Sequence, residues 1–138
     1  MNLFKRMKRI ITGKDSDNID FFMTETIKEM EEEYKDIKER INQSINLKKQ
    51  LEDKYVKAQE EIDYWKEKAK TSFKENEDEV AKKALEKKHS QDRLANKYER
   101  QLEKNEEKIK KYRARIDEIE EELAEAGVKE KVIQEEIN

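Results

Sequence analysis

Beyond residue 18 the apolar side chains of this sequence recur at steps of three and four, in two registers that do not join. The first runs through Ile19, Met23, Ile27, Met30, Tyr34, Ile37, Ile41, Ser44, Lys48, Leu51, Tyr55, Ala58, Ile62, Trp65, Ala69 and Ser72. Carried further it meets Asn76, Glu79, Lys83 and Glu86, all polar. A different phase then collects Ala81, Ala84, Lys88, Gln91, Ala95, Tyr98, Leu102, Asn105, Ile109, Tyr112, Ile116, Ile119, Leu123 and Ala126. Such spacing gathers apolar groups into one narrow stripe of a helix, and one partner helix is enough to bury a stripe of that width. The slip of phase near residue 76 predicts two helices rather than one.

If the chain reverses about residues 76 and 77, seam positions meet when their numbers add to roughly 153. Leu51 then faces Leu102, Tyr55 faces Tyr98, Ala58 faces Ala95 and Ala69 faces Ala84. Met30, Tyr34 and Ile37 face Leu123, Ile119 and Ile116. The polar interruptions coincide as well, Lys48 falling opposite Asn105. A continuous rod would not require this agreement. The expected fold is all-α: a long antiparallel two-helix coiled-coil hairpin, its first arm about 19–74, its turn about 75–78 and its second arm about 79–138. The alternative is one very long helix in a parallel dimer. Each arm would hold about 55 residues and extend about 80 Å.

At the turn, Asn76 with Glu79 reads as an Asn version of a capping box that opens the second helix. Glu77 and Asp78 suit its positive end, and Lys66, Lys68, Lys70 and Lys74 suit the negative end of the first. Gly127 is expected to bend the second arm without ending it, since Ile133 and Ile137 keep its register.

Composition agrees with a thin seam. Charged residues make up 49% of the chain and hydrophobic ones only 33%, too few for a thick core; there is no Pro, and Gly occurs twice. The near balance of sign, net −3, argues with the periodicity against disorder. A seam this narrow, weakened by the Lys48/Asn105 layer and flanked by mixed charge, makes self-association attractive. Without cysteine and with one histidine, the chain lacks disulfides, thiolate metal sites and two-His motifs. A phosphate-cradling loop ending at Gly13-Lys14 would need Gly in place of Lys8 and Ser or Thr in place of Asp15. Neither a cofactor nor a metal is expected, and the chain reads as a non-enzyme. Trp65, Tyr55, Tyr98 and Tyr112 read as seam packing and His89 as a surface residue. The runs Glu31 to Glu33 and Glu120 to Glu122 read as solvated helix faces.

The first 14 residues differ from the rest. Lys5, Arg6, Lys8, Arg9 and Lys14 stand there without an acid. Leu3, Phe4, Met7, Ile10 and Ile11 fall at helical spacings that put them on one face, with Lys5, Arg6, Lys8 and Arg9 mainly on the other. Residues 1–13 therefore read as a basic amphipathic helix ended by Gly13, and 14–18 as a polar linker. Nucleation makes so short a helix marginal in water, so binding and folding would be coupled at an interface that takes up the apolar face. The expected partner is an anionic membrane surface, with the apolar five inserted and the four basic residues on lipid headgroups. The alternative is docking of this face on the same protein. A short basic patch on an acidic chain makes nucleic acid a poor partner. With no apolar run long enough to span a bilayer or to form a secretory signal, the expected location is cytoplasmic.

The order of parts, and the residues at the turn, resemble the family of phage shock protein A and the vesicle-inducing protein in plastids, bacterial relatives of ESCRT-III membrane-remodelling proteins. Ile62-Asp63-Tyr64-Trp65-Lys66-Glu67-Lys68-Ala69, then Asn76-Glu77-Asp78-Glu79-Val80-Ala81-Lys82-Lys83-Ala84-Leu85, is similar to that family's Trp-x-x-Lys-Ala stretch, acidic turn and Ala-rich restart. Trp65, Ala69, Asn76, Glu79 and Ala84 mark the hairpin apex in this comparison, and Phe4 to Ile11 resembles the family's N-terminal membrane helix. The resemblance implies peripheral binding to the inner face of the cell membrane, homo-oligomeric assembly, and bilayer stabilisation or remodelling under envelope stress. For some members it also implies restraint of an AAA+ transcription activator. In two respects the sequence departs from the family: the linker lacks the proline often found there, and the sequence stops at Asn138, where family members usually continue into helices that brace neighbouring subunits. Large polymers are thus implied less strongly than membrane binding.

Overall fold

The computed structural model describes residues 16–127, and their side chains from residue 21. Two helices account for nearly all of it: α1, Ser16–Lys74, and α2, Asp78–Glu125. Neither contains Pro or Gly, so nothing in the backbone chemistry interrupts 59 and 48 consecutive helical residues. The helix α1 starts three residues ahead of Ile19. Ser16, Asp17 and Asn18 form its first turn instead of a linker.

The helices pack as an antiparallel hairpin, and every position of both registers from Met23 to Ala126 is buried or half-buried. The hairpin divides into two compact units. The root unit, residues 16–43 with 109–127, buries Met30, Tyr34, Ile37 and Ile41 with Ile109, Ile116, Ile119 and Leu123; Ile119 and Leu123 have 0% exposure. Its arms are tied by Tyr34 donating to Glu120 Oε1 at 2.8 Å and by Arg115 donating to both oxygens of Glu33 at 2.7 and 3.0 Å. The apex unit, Ser44–Lys108, has a smaller-grained seam in which Leu51, Ala58, Ala69, Ala81, Ala84 and Ala95 are buried. Here Asn105 Nδ2 donates to the Ser44 carbonyl at 2.8 Å and Lys48 Nζ lies 3.5 Å from Glu106. The polar layer is therefore bonded across the arms. In each unit the cross-arm partners lie within about one and a half helical turns of the expected pairing.

The turn itself corrects the capping-box reading. Asn76 has φ 59°, in the left-handed region, where it ends α1 instead of opening α2. Its N–H donates to the Phe73 carbonyl at 3.2 Å and the Glu77 N–H to the Ser72 carbonyl at 2.8 Å, the paired bonds of a Schellman motif. The Glu77 carbonyl accepts the first bond of α2, from the Ala81 N–H at 3.0 Å, so the N-cap is Glu77. Asn suits this place because its short polar side chain tolerates left-handed backbone better than most residues do. Serine equals Asn as an N-cap but not in left-handed backbone. Asn76→Ser should therefore lower the unfolding free energy by about 1 kcal/mol, and Asn76→Gly should leave it unchanged or raise it slightly. Thermal melts followed by circular dichroism would show the order.

Gly127 also departs from expectation. It has φ 83°, and its N–H donates to the Ala124 carbonyl at 3.1 Å, so it caps the end of α2 rather than bending a longer helix. Ile133 and Ile137 lie outside the described residues.

Candidate functional site

The expected membrane-contact residues, Leu3, Phe4, Met7, Ile10 and Ile11 with Lys5, Arg6, Lys8 and Arg9, lie outside the described residues. The apex residues are all described. Ala69 and Ala84 are buried in the seam, at opposing positions of its two arms. Trp65 is half-buried beside them: its Nε1 donates to Glu61 Oε2 at 2.9 Å, and Tyr64 meets its ring edge-on at 4.9 Å. From the other arm the Lys87 ammonium sits 4.4 Å from the indole centroid, a cation–π distance. Asn76 and Glu79 are exposed at the turn, and Glu79 with Asp78 places negative charge in the first turn of α2. The structure thus buries Ala69 and Ala84, half-buries Trp65 one helical turn before Ala69, and leaves Asn76 and Glu79 exposed at the reversal. The pairing rule places the seam residue Lys88 opposite Trp65, and it is the neighbouring Lys87, on the flank, that reaches the ring.

In the root unit, two of the acidic runs do more than meet solvent. Glu33 receives the Arg115 fork, and Arg115 also reaches Glu118 at 3.1 Å. The Arg115 hydrogen bond holds the Glu33 carboxyl below its ordinary range. Burial, with the Glu120 carboxylate as acceptor, pushes the Tyr34 phenol up, so it remains a donor throughout the physiological range. Because the native Glu33 value is depressed, its contribution to stability is present above pH 4.5 and is lost as pH falls through the native value. The pair is partly exposed, so its whole worth is at most about 1 kcal/mol. Arg115→Ala and wild type should differ by that amount at neutral pH and converge in acid, as denaturant titrations at both pH values would show.

Nothing among the described residues groups three His, Cys, Asp or Glu side chains as a metal site, and no described helix is long and apolar enough to cross a membrane. One shallow concavity of about 150 Å³ is lined by Lys54, Lys57, Ala58, Glu61, Gln91, Leu94 and Tyr98. Its open form suits contact with a surface better than enclosure of a small molecule.

These features define a helical hairpin with a narrow apolar seam and charged flanks. The chain belongs to the PspA/IM30 family, which it matches over residues 2–136. It is similar to the membrane-associated protein Vipp1 of Nostoc punctiforme, with 29% identity over 94 residues, 64% of this chain and 36% of that protein. The match thus spans little more than a third of the relative's length.

Proposed function

We propose that this chain is a peripheral membrane-binding, self-associating scaffold that stabilises or remodels the bacterial inner membrane from its cytoplasmic face, as in an envelope-stress response. The observation that carries the reading is the N-terminal pattern. Leu3, Phe4, Met7, Ile10 and Ile11 fall at spacings that would put them on one face of a helix, with Lys5, Arg6, Lys8 and Arg9 between them, in a chain whose family includes a relative named as membrane-associated. Five apolar side chains supply insertion, and the basic residues add on the order of 1 kcal/mol each on anionic lipid. The hairpin supplies mixed surface charge for contact with further copies. No catalytic role is assigned to it.

The test is co-sedimentation with phosphatidylglycerol-containing vesicles, using the full chain and one lacking residues 1–13, with light scattering before and after vesicles are added. Deletion should lower binding at physiological salt by about a hundredfold or more. The full chain should scatter as more than a monomer, at least on vesicles. A chain indifferent to lipid in both forms would be a plain coiled-coil adaptor. A lipid-indifferent monomer captured by an AAA+ transcription activator would be a regulator.

A further inference from the structure

In the apex unit the two flanks of the helix pair carry different charge. One flank is marked by contacts: Glu61 and Lys87 meet at the Trp65 ring, and Lys54, Lys57, Glu61 and Leu94 line the same concavity. On α1, Lys68 lies seven residues beyond Glu61 and so extends this flank. On α2, Lys83 lies one turn before Lys87; Lys97 follows Leu94 by three residues, and Lys104 and Lys108 continue the row. All these lysines are exposed, and none is in an ion pair. Glu61 is the sole acid among them. Between them stand Leu47, Tyr64, Val80 and Leu94, exposed by 44, 57, 41 and 37%.

The opposite flank, marked by the Lys48 to Glu106 bridge, is mixed. There Glu52, Asp63, Asp92, Glu99 and Glu103 stand among Lys49, Lys66, Lys70 and Lys82. A flank designed to hold the arms together would pair opposite signs across the seam. The lysine flank instead crowds like charge, which costs the fold stability and asks for an external counter-charge.

We propose that this lysine flank is a second contact for an anionic lipid bilayer, separate from the N-terminal segment. It extends the membrane reading above to another surface. A row parallel to the helix axes lets lysines from both arms reach one plane, their stems lying along the surface while Leu47, Val80 and Leu94 enter the headgroup boundary. The mixed flank of a second copy would bring almost as many lysines as acids and leave most of the positive charge uncompensated. A bilayer offers continuous negative potential along the row.

The experiment compares two full-length variants with equal charge change: Lys54→Glu/Lys57→Glu/Lys97→Glu/Lys104→Glu on this flank, and Lys49→Glu/Lys66→Glu/Lys70→Glu/Lys82→Glu on the other. Each is made in the wild-type chain and in a Phe4→Asp/Ile11→Asp background. Partition is measured on phosphatidylglycerol and phosphatidylcholine vesicles at low and physiological salt, with helical content and light scattering alongside. At low salt, the Phe4→Asp/Ile11→Asp chain should keep salt-sensitive binding to phosphatidylglycerol, which the lysine-flank changes lower about tenfold or more and the other set by less than about threefold. If the Glu variant loses helix, Gln at the same four positions should give the same order. Equal losses from both sets would reduce the effect to net charge and overturn the proposal. So would complete loss of binding in the Phe4→Asp/Ile11→Asp chain alone, which leaves the N-terminal reading standing. Binding that depends only on the lysine flank would overturn the N-terminal reading instead. A change in particle size without a change in lipid partition would assign the flank to a second copy and refute the proposal.

Discussion

Replacing Leu123 by Ala should lower the unfolding free energy by about 3 kcal/mol and loosen the root of the hairpin. Leu123 and Ile119 are the large side chains with no exposure at all among the described residues, and the register sets them opposite Met30 and Tyr34, both buried, in a seam only one stripe wide. A thick core can partly collapse around a deleted side chain, whereas a two-helix seam has no second layer to move in. The lost transfer energy and the cavity term should both appear, within the usual range of about 2 to 5 kcal/mol for Leu→Ala. The same change at Leu47, 44% exposed, should cost about 0.5 kcal/mol or less. Urea titrations followed by circular dichroism would measure both. Equal costs at the two positions would mean that the seam does not carry the stability of the root.

Binding to weakly charged vesicles at physiological salt should fall about a thousandfold in the Phe4→Asp/Ile11→Asp chain. Each anchor contributes about 1.5 to 3 kcal/mol when fully buried, and the introduced carboxylates add a desolvation cost. Changing Lys5, Arg6, Lys8 and Arg9 to Gln acts differently. It removes roughly 4 kcal/mol of attraction on strongly anionic vesicles at low salt, and little where screening has already removed that attraction. The first variant should fail on every weakly charged vesicle, while the second should keep a residual binding that depends less on lipid charge. The hairpin should keep its helical content in both. Vesicle partition at two salt concentrations separates the cases, and an Asp variant that binds like wild type would remove this segment from the membrane contact.

The seam was fully legible in the sequence. Burial on a two-helix interface is a property of one residue type at one spacing, and a helix converts spacing into a face without help from the rest of the chain. Met30, Tyr34, Ile37, Leu51, Ala69, Ala84, Ile116 and Leu123 could be assigned to it, and paired with one another, from numbering alone. The N-terminal pattern lies outside the described residues.

Other features needed the second helix in place. Asn76 is chemically fit both to open a helix and to end one. Its left-handed backbone was decided by the reversal, which leaves the Ser72 and Phe73 carbonyls to be satisfied by the N–H groups of Glu77 and Asn76. Gly127 posed the same ambiguity, since glycine tolerates a bent helix and a cap alike. Glu33 and Glu120 looked like members of solvated runs because a partner such as Arg115 or Tyr34 is remote in sequence and adjacent only across the arms. The lysine flank belongs to this group: its charges alternate unremarkably along each helix and align only when α1 and α2 lie side by side. The sequence by itself determined which residues are buried, because that depends on the period of a single helix. Tertiary structure alone decided which polar groups meet and which charges share a surface, because those depend on the relative placement of two helices.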